Sequence, residues 1–232
     1  MTAKTYNNIQ ILNLDRVTMD KTFLKWLFKP EIKNPILVEG LPGFGNIGRL
    51  TAKLLIDFCG GKRFLELYSP YFQDYVIVDS RGVCRPPRYE FYEASTQNRP
   101  LIILTGDTQP SIEDVNAHYE LGSEILDIAE EFGCDTVITV GGIPFQNPNK
   151  EVYVAATSSK LASELVEKGA LLYSKGRIMG ATGLLLGLAK IRGWTGICVL
   201  GATTGLRADR ESALSVFRFL LKLLGLEQKE GL

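Results

Sequence analysis

Four short apolar runs constrain this chain more than any other feature: PILVE at 35–39, PLIILT at 100–105, DTVITV at 135–140 and TGICVLGA at 195–202. Each is continuous rather than alternating, so a strand built on it must be covered on both faces. Each also carries glycine at or just past its end: Gly40, Gly106, Gly141-Gly142 and Gly201. Between the runs the spacing turns helical. Asn46 is placed to cap a helix whose apolar side is Ile47, Leu50, Leu54 and Phe58, stopped by Gly60-Gly61. Ser111, with Asp114 three residues on, reads as a capping box opening a long helix that ends at Gly133. A further strand begins at 152 (VYVAATS), and Ser158 or Ser159 caps a helix closed by Gly169. A strand or hairpin at 170–180 leads into the helix TGLLLGLAKIR, and a last helix runs from Asp209 to about Leu224. Apolar strands alternating with helices form a mostly parallel sheet with helices on both faces. The expected fold is therefore α/β, a three-layer α/β/α sandwich, in one domain over 1–226. Residues 227–232 (EQKEGL) form a polar tail. Strand-like runs at 63–68, 75–79 and 88–94 read as a meander, extending one sheet edge or making a lobe.

Composition removes several classes of function. Lys and Arg number 26, as do Asp and Glu. That balance argues against general nucleic-acid binding, which needs a basic excess. Four isolated cysteines, with no C-x-x-C pair, give neither a zinc ribbon nor a disulfide framework. A single histidine, His118, excludes a multi-histidine metal site and would have to serve any Ser-His-Asp triad. No apolar run nears the ~20 residues of a membrane span, and the first residues lack the apolar core of a signal peptide. A cytoplasmic protein with no metal and no cofactor is expected.

The motif G-F-G-N-I-G at 43–48 spells G-x-G-x-x-G between a strand and a helix, and Glu66 follows near the end of the next strand. A bare backbone at a helix N-terminus can cradle phosphate. Two details oppose a dinucleotide site: Gly40-Leu41-Pro42 separates the strand from the first motif glycine, and the strand is not the N-terminal one. In a parallel sheet the glycine-rich strand ends gather on one edge, where ligands bind. Gly43, Phe44, Gly45, Asn46, Gly141, Gly142, Thr203 and Thr204 are thus the candidate ligand crevice, and ordinary turn chemistry accounts for the same glycines. Asp107, Thr108, Gln109 and Asn147 are polar neighbours that form no catalytic set. Arg81, Arg85 and Arg88 flank Pro86-Pro87 and could hold an acidic group, or form a solvated loop. Two helices are apolar beyond one stripe: Gly183–Ala189, and the last helix with Leu214, Phe217, Leu220, Leu221 and Leu224 on one side and Val216, Phe219 and Leu223 on another. Either they are deeply buried or they make contacts between copies.

The ordered set G-L-P-G-F-G-N-I-G (40–48), L-T-G-D-T-Q-P (104–110), V-G-G-I-P (140–144), G-A-T-G-L-L-L-G-L-A-K (180–190) and G-I-C-V-L-G-A-T (196–203) resembles archaeal members of the proteasome assembly chaperone family. The resemblance spans about Ile36 to Leu226. It implies an α/β/α fold similar to nucleoside phosphorylase-like domains, homo-oligomerisation, no established catalytic activity, and binding to proteasome α subunits. Some members dock through a C-terminal hydrophobic–Tyr–any tripeptide. The corresponding residues here are Glu230, Gly231 and Leu232, without the tyrosine. The alternative is a nucleotide-binding enzyme or sensor, ATP-grasp-like or nucleoside-binding, using the glycine-rich edge.

Overall fold

The computed structural model describes residues 19–227. Eleven strands are formed among them: β1 (Phe23–Trp26), β2 (Ile36–Glu39), β3 (Lys62–Tyr68), β4 (Ile77–Val78), β5 (Cys84–Arg85), β6 (Tyr89–Ala94), β7 (Leu101–Gly106), β8 (Thr136–Pro144), β9 (Val152–Ala156), β10 (Leu171–Leu172) and β11 (Thr195–Thr203). The helices are α1 (Ile47–Cys59), α2 (Val115–Glu130), α3 (Ser159–Glu167), α4 (Gly180–Ile191) and α5 (Arg210–Leu224).

Nine strands make one sheet in the order β1-β3-β6-β7-β2-β8-β11-β9-β10, and β4 pairs with β5 as a separate hairpin. The four apolar runs are its parallel centre: β7 with β2, β2 with β8, and β8 with β11. The meander extends one flank antiparallel, through β6, β3 and β1. On the other flank β9 lies antiparallel to β11.

Alternation along each central strand feeds two cores. Leu37, Ile102, Leu104 and Val137 face α2 and α4, whose Leu121, Ile125, Leu126 and Leu185 complete that core. Val38, Ile103, Ile138 and Val140 face α1, α3 and α5, through Ile47, Leu55, Leu165, Val216 and Leu220. The α/β/α reading holds, with the parallel order running through the four central strands and returning at one edge, where β10 pairs parallel with β9.

Local details depart from expectation. Asn46 precedes α1 but sits in the left-handed region at φ 52 and makes no side-chain cap. The first turn of α1 packs under the glycine segment instead. The long helix starts at Asp114, whose carboxylate accepts from the Ala117 N–H, and not at Ser111. Ser158 caps α3 as the spacing requires. Only Leu171 and Leu172 of the 170–180 stretch are strand, and α4 begins at Gly180. Strand β1 goes beyond the expected elements: four residues, two of them exposed, give too short a pattern to read.

Candidate functional site

The parallel strands end together at one edge, and there the residues named for the crevice gather. After β2 the chain turns through Gly40–Asn46 and enters α1 directly over the ends of β8 and β11. Gly45 takes φ +59, a left-handed backbone that favours glycine, and a Cβ on it would lie 2.7 Å from Thr203 Oγ1. A Cβ on Gly142 would strike the Phe44 carbonyl oxygen, and one on Gly48 would lie 2.5 Å from the Val140 carbonyl oxygen. A Cβ on Gly141 would press on the Thr182 methyl at 3.1 Å. Gly43, Phe44, Gly45, Asn46, Gly141, Gly142 and Thr203 therefore do come together, and the space their missing side chains leave is filled by the chain's own atoms. Of these glycines only Gly43 has open space beside it. Thr203 is buried and its hydroxyl accepts from the Gly205 N–H at 3.2 Å, whereas Thr204 is exposed at the rim.

Hydrogen bonds lock the turn from three sides. The Gly45 carbonyl accepts from the Asp209 N–H at 2.8 Å. Gln109 bridges the turn to α4: its Nε2 donates to the Pro42 carbonyl at 2.5 Å and its Oε1 accepts from the Ala181 N–H at 2.9 Å. Asp209 caps α5, accepting from the Ser212 N–H, and pairs with Lys150 at 3.0 Å. Burial would raise the Asp209 carboxyl. The Ser212 N–H, Lys150 and the Thr203 hydroxyl outweigh it and hold it at about 2.

Under the turn lies a group that the motifs do not single out. Glu39, the last residue of β2, is fully buried. Its Oε1 accepts from the Leu41 N–H at 2.9 Å, while Oε2 has no hydrogen-bond partner. Burial pushes its carboxyl up to about 7, against the lowering pull of the Leu41 and Val140 backbone and the Thr182 hydroxyl. The sequence signal is an acid closing an apolar run, but an acid at that place ordinarily marks a strand leaving the core.

The arginine cluster is satisfied internally. Arg85 chelates Asp107 at 2.5 and 3.1 Å, and the Arg88 N–H donates to the same carboxylate at 3.1 Å. Burial opposes ionisation of Asp107, and Arg85, the Arg88 N–H and Arg49 reverse that and lower its carboxyl. Arg88 pairs with Glu66 at 2.7 Å and Glu90 at 2.6 Å, and Arg81 with Asp79 at 3.0 Å. Glu66 is thus the centre of a cation cluster with Arg63 and Lys25. It stands on β3, separated from β2 by β6 and β7, so it cannot serve a ribose beside the glycine turn.

His118 is half-buried on α2, with Nε2 3.2 Å from the Ser111 carbonyl oxygen. Burial raises the Cys134 and Cys198 thiols, the latter to about 12. Among the described residues no group of three or more His, Cys, Asp or Glu is placed to hold a metal, and no helix is long and apolar enough to cross a membrane. The tail residues Glu230, Gly231 and Leu232 lie outside the described residues.

What the molecule does present is apolar. Phe44, Phe145 and Leu206 are exposed along the sheet edge. A groove of about 420 Å³ opens between α2 and α4, and a smaller one of about 220 Å³ lies between α1 and α5.

Fold and edge together define an α/β/α protein of the centrally parallel type whose strand-end turn is packed from within. Residues 37–230 match the PAC2 family, and the chain belongs to it. A solved Pyrococcus furiosus protein, PbaB, described as an archaeal proteasome activator, is 37% identical with a TM-score of 0.85, covering 91% of this chain and 92% of that one. PbaA from the same organism, described as an archaeal homolog of proteasome-assembly chaperone, is 27% identical with a TM-score of 0.73, covering 90% and 84%. The uncharacterized protein MJ1210 of Methanocaldococcus jannaschii is 37% identical over 199 residues, 84% of this chain and 76% of its own length. The family resemblance read from the ordered glycine motifs is borne out.

Proposed function

We propose that this chain is a proteasome-directed binding protein that engages the α subunits of the core particle and acts by binding rather than by catalysis. The observation that carries this reading is the likeness to the Pyrococcus activator, 37% identical with a TM-score of 0.85 along nearly the whole of both chains. The filled strand-end turn supports it too, since the residues that would cradle a nucleotide pack on one another. Two modes of action differ in the target that is bound: an assembly chaperone acts on free α subunits, and an activator acts on the finished particle. The higher identity and TM-score to the protein described as an activator favour the second mode over the chaperone homolog at 27% and 0.73.

The test is native mass spectrometry of the full chain mixed with free α subunits and, separately, with assembled core particle, followed by substrate degradation. Complexes with the assembled particle and faster degradation are expected. Binding to neither form overturns the reading, and binding to free subunits alone moves it to the assembly mode. Glu230, Gly231 and Leu232 enter this proposal as the docking tail. A chain ending at Leu226 then loses the complex, and a complex that survives places the contact on the folded surface.

A further inference from the structure

We propose that the outer edge of β1 accepts an extended peptide of alternating apolar and acidic residues as one more strand of the sheet. The proposal goes beyond the proteasome reading and does not rest on it.

β1 closes one end of the nine-stranded sheet, and among the described residues no strand lies on its outer side. Its register with β3 decides which backbone groups are open. Phe23 lies opposite Tyr68 and Lys25 opposite Glu66. The same alternation reaches Leu27, whose N–H donates to the Phe64 carbonyl at 2.8 Å. In an antiparallel ladder the residues between such bonded positions turn their N–H and C=O the other way. Leu24 and Trp26 therefore offer both groups to a strand added outside β1.

The two faces of this edge differ in kind. On the α2 side, Leu24 packs against the core, and Trp26 lies against Phe64 and Phe132 with ring centroids 5.9 and 6.3 Å apart. Trp26 is still 36% exposed, and Leu27 and Phe28 after it are 42% and 40% exposed. On the opposite side Lys25 reaches Glu66 at 3.3 Å with half of its side chain in solvent. It joins Arg63 and Arg88 there, so three cations share two carboxylates, Glu66 and Glu90. One positive charge of that cluster is left over.

Lys25 blunts one face of β1, as lone edges are commonly blunted. The other face carries three large apolar side chains in a row, which a lone edge does not need and an incoming strand can cover. Side chains of a strand alternate between faces. An incoming strand thus sets one series beside Leu24 and Trp26 and the other beside Lys25. Apolar residues fit the first series and acidic residues the second. Backbone bonds supply the affinity, and the alternation supplies the selectivity.

The test uses the full chain and a capped probe peptide of four Glu-Val repeats. Amide hydrogen exchange with the probe bound is expected to slow at Leu24 and Trp26 and to stay unchanged at Phe23 and Lys25, which already bond β3. Two further probes carry backbone N-methyl groups, one on every valine and one on every glutamate. Alternate N–H groups of a strand point to opposite edges, so one of these probes is expected to bind at least about tenfold more weakly and the other as before. A probe with lysine in place of glutamate is also expected to bind at least about tenfold more weakly. No binding of the Glu-Val probe, protection that leaves out Leu24 and Trp26, equal affinity of the two methylated probes, or equal affinity of the lysine probe would each overturn the proposal.

Discussion

Glycines at the sheet edge and glycines on α4 look alike in the sequence and do opposite work. At the edge, Gly45, Gly48 and Gly142 are each matched to an atom of the same chain: a threonine hydroxyl, a strand carbonyl and a turn carbonyl. On α4, Gly187 is matched to nothing in the chain. The first set lets a turn close onto a sheet, with its glycines packed against the chain's own atoms. The second leaves a helix face thin and open. A glycine motif therefore leaves open what comes close, and at the sheet edge the structure shows it to be the chain itself.

Four substitutions sharpen or break that contrast. The largest effect is expected from Gly142→Val, whose side chain meets a backbone carbonyl that cannot move without displacing the turn. Loss of about 3 kcal/mol, the upper end of the overpacking range, is expected in urea unfolding, and a cost near zero would show that the turn is loosely seated.

Glu39 tests whether the floor of the edge is as closed as its packing implies. Its carboxyl is raised from the ordinary 4.5 to about 7 by burial. The stability of holding it neutral is fully present below pH 4.5 and is lost as pH rises through about 7. The loss amounts to about 3 kcal/mol at alkaline pH. Glu39→Gln is expected to abolish that decline in unfolding experiments across the same range. A wild type whose stability does not fall between about pH 4.5 and 8 would mean that water reaches the carboxylate.

Asp209→Ala removes a helix cap and the Lys150 partner at the rim of the turn. A cost of about 1 kcal/mol is expected, seen as a fall in Tm of roughly 2–4 °C. The smallest effect has the opposite sign. Gly187→Ala is expected to stabilise the chain by ~0.5–1 kcal/mol, because alanine favours the helix and its methyl meets no atom. Destabilisation would show an internal role for that glycine.

Much of the fold is legible in the sequence because it is periodic. The four apolar runs became the parallel centre, and helix ends at Gly60, Ser158 and Gly225 or near them obey local chemistry. Local chemistry also misleads where two solutions lie three residues apart. Both Ser111 and Asp114 could open the long helix, and the carboxylate that reaches the Ala117 N–H decides it. Pairings across long separations are not legible. For Arg85 and Arg88 the sequence leaves an acid-holding cluster and a solvated loop both open, because Asp107, Glu66 and Glu90 reach them only once β6 lies between β3 and β7. Glu39 escapes notice for the same reason: its burial depends on the turn, α4 and β8 closing over it together. The apolar excess of α4 is visible as spacing, but which of its glycines stands open is not.

The contrast between the two glycine sets is tested most directly by urea unfolding of Gly142→Val and Gly187→Ala side by side with the wild type. The account predicts a loss of stability at Gly142, where the added side chain meets the Phe44 carbonyl, and a gain at Gly187, where the methyl meets no atom. A loss at both positions, or at neither, would contradict it.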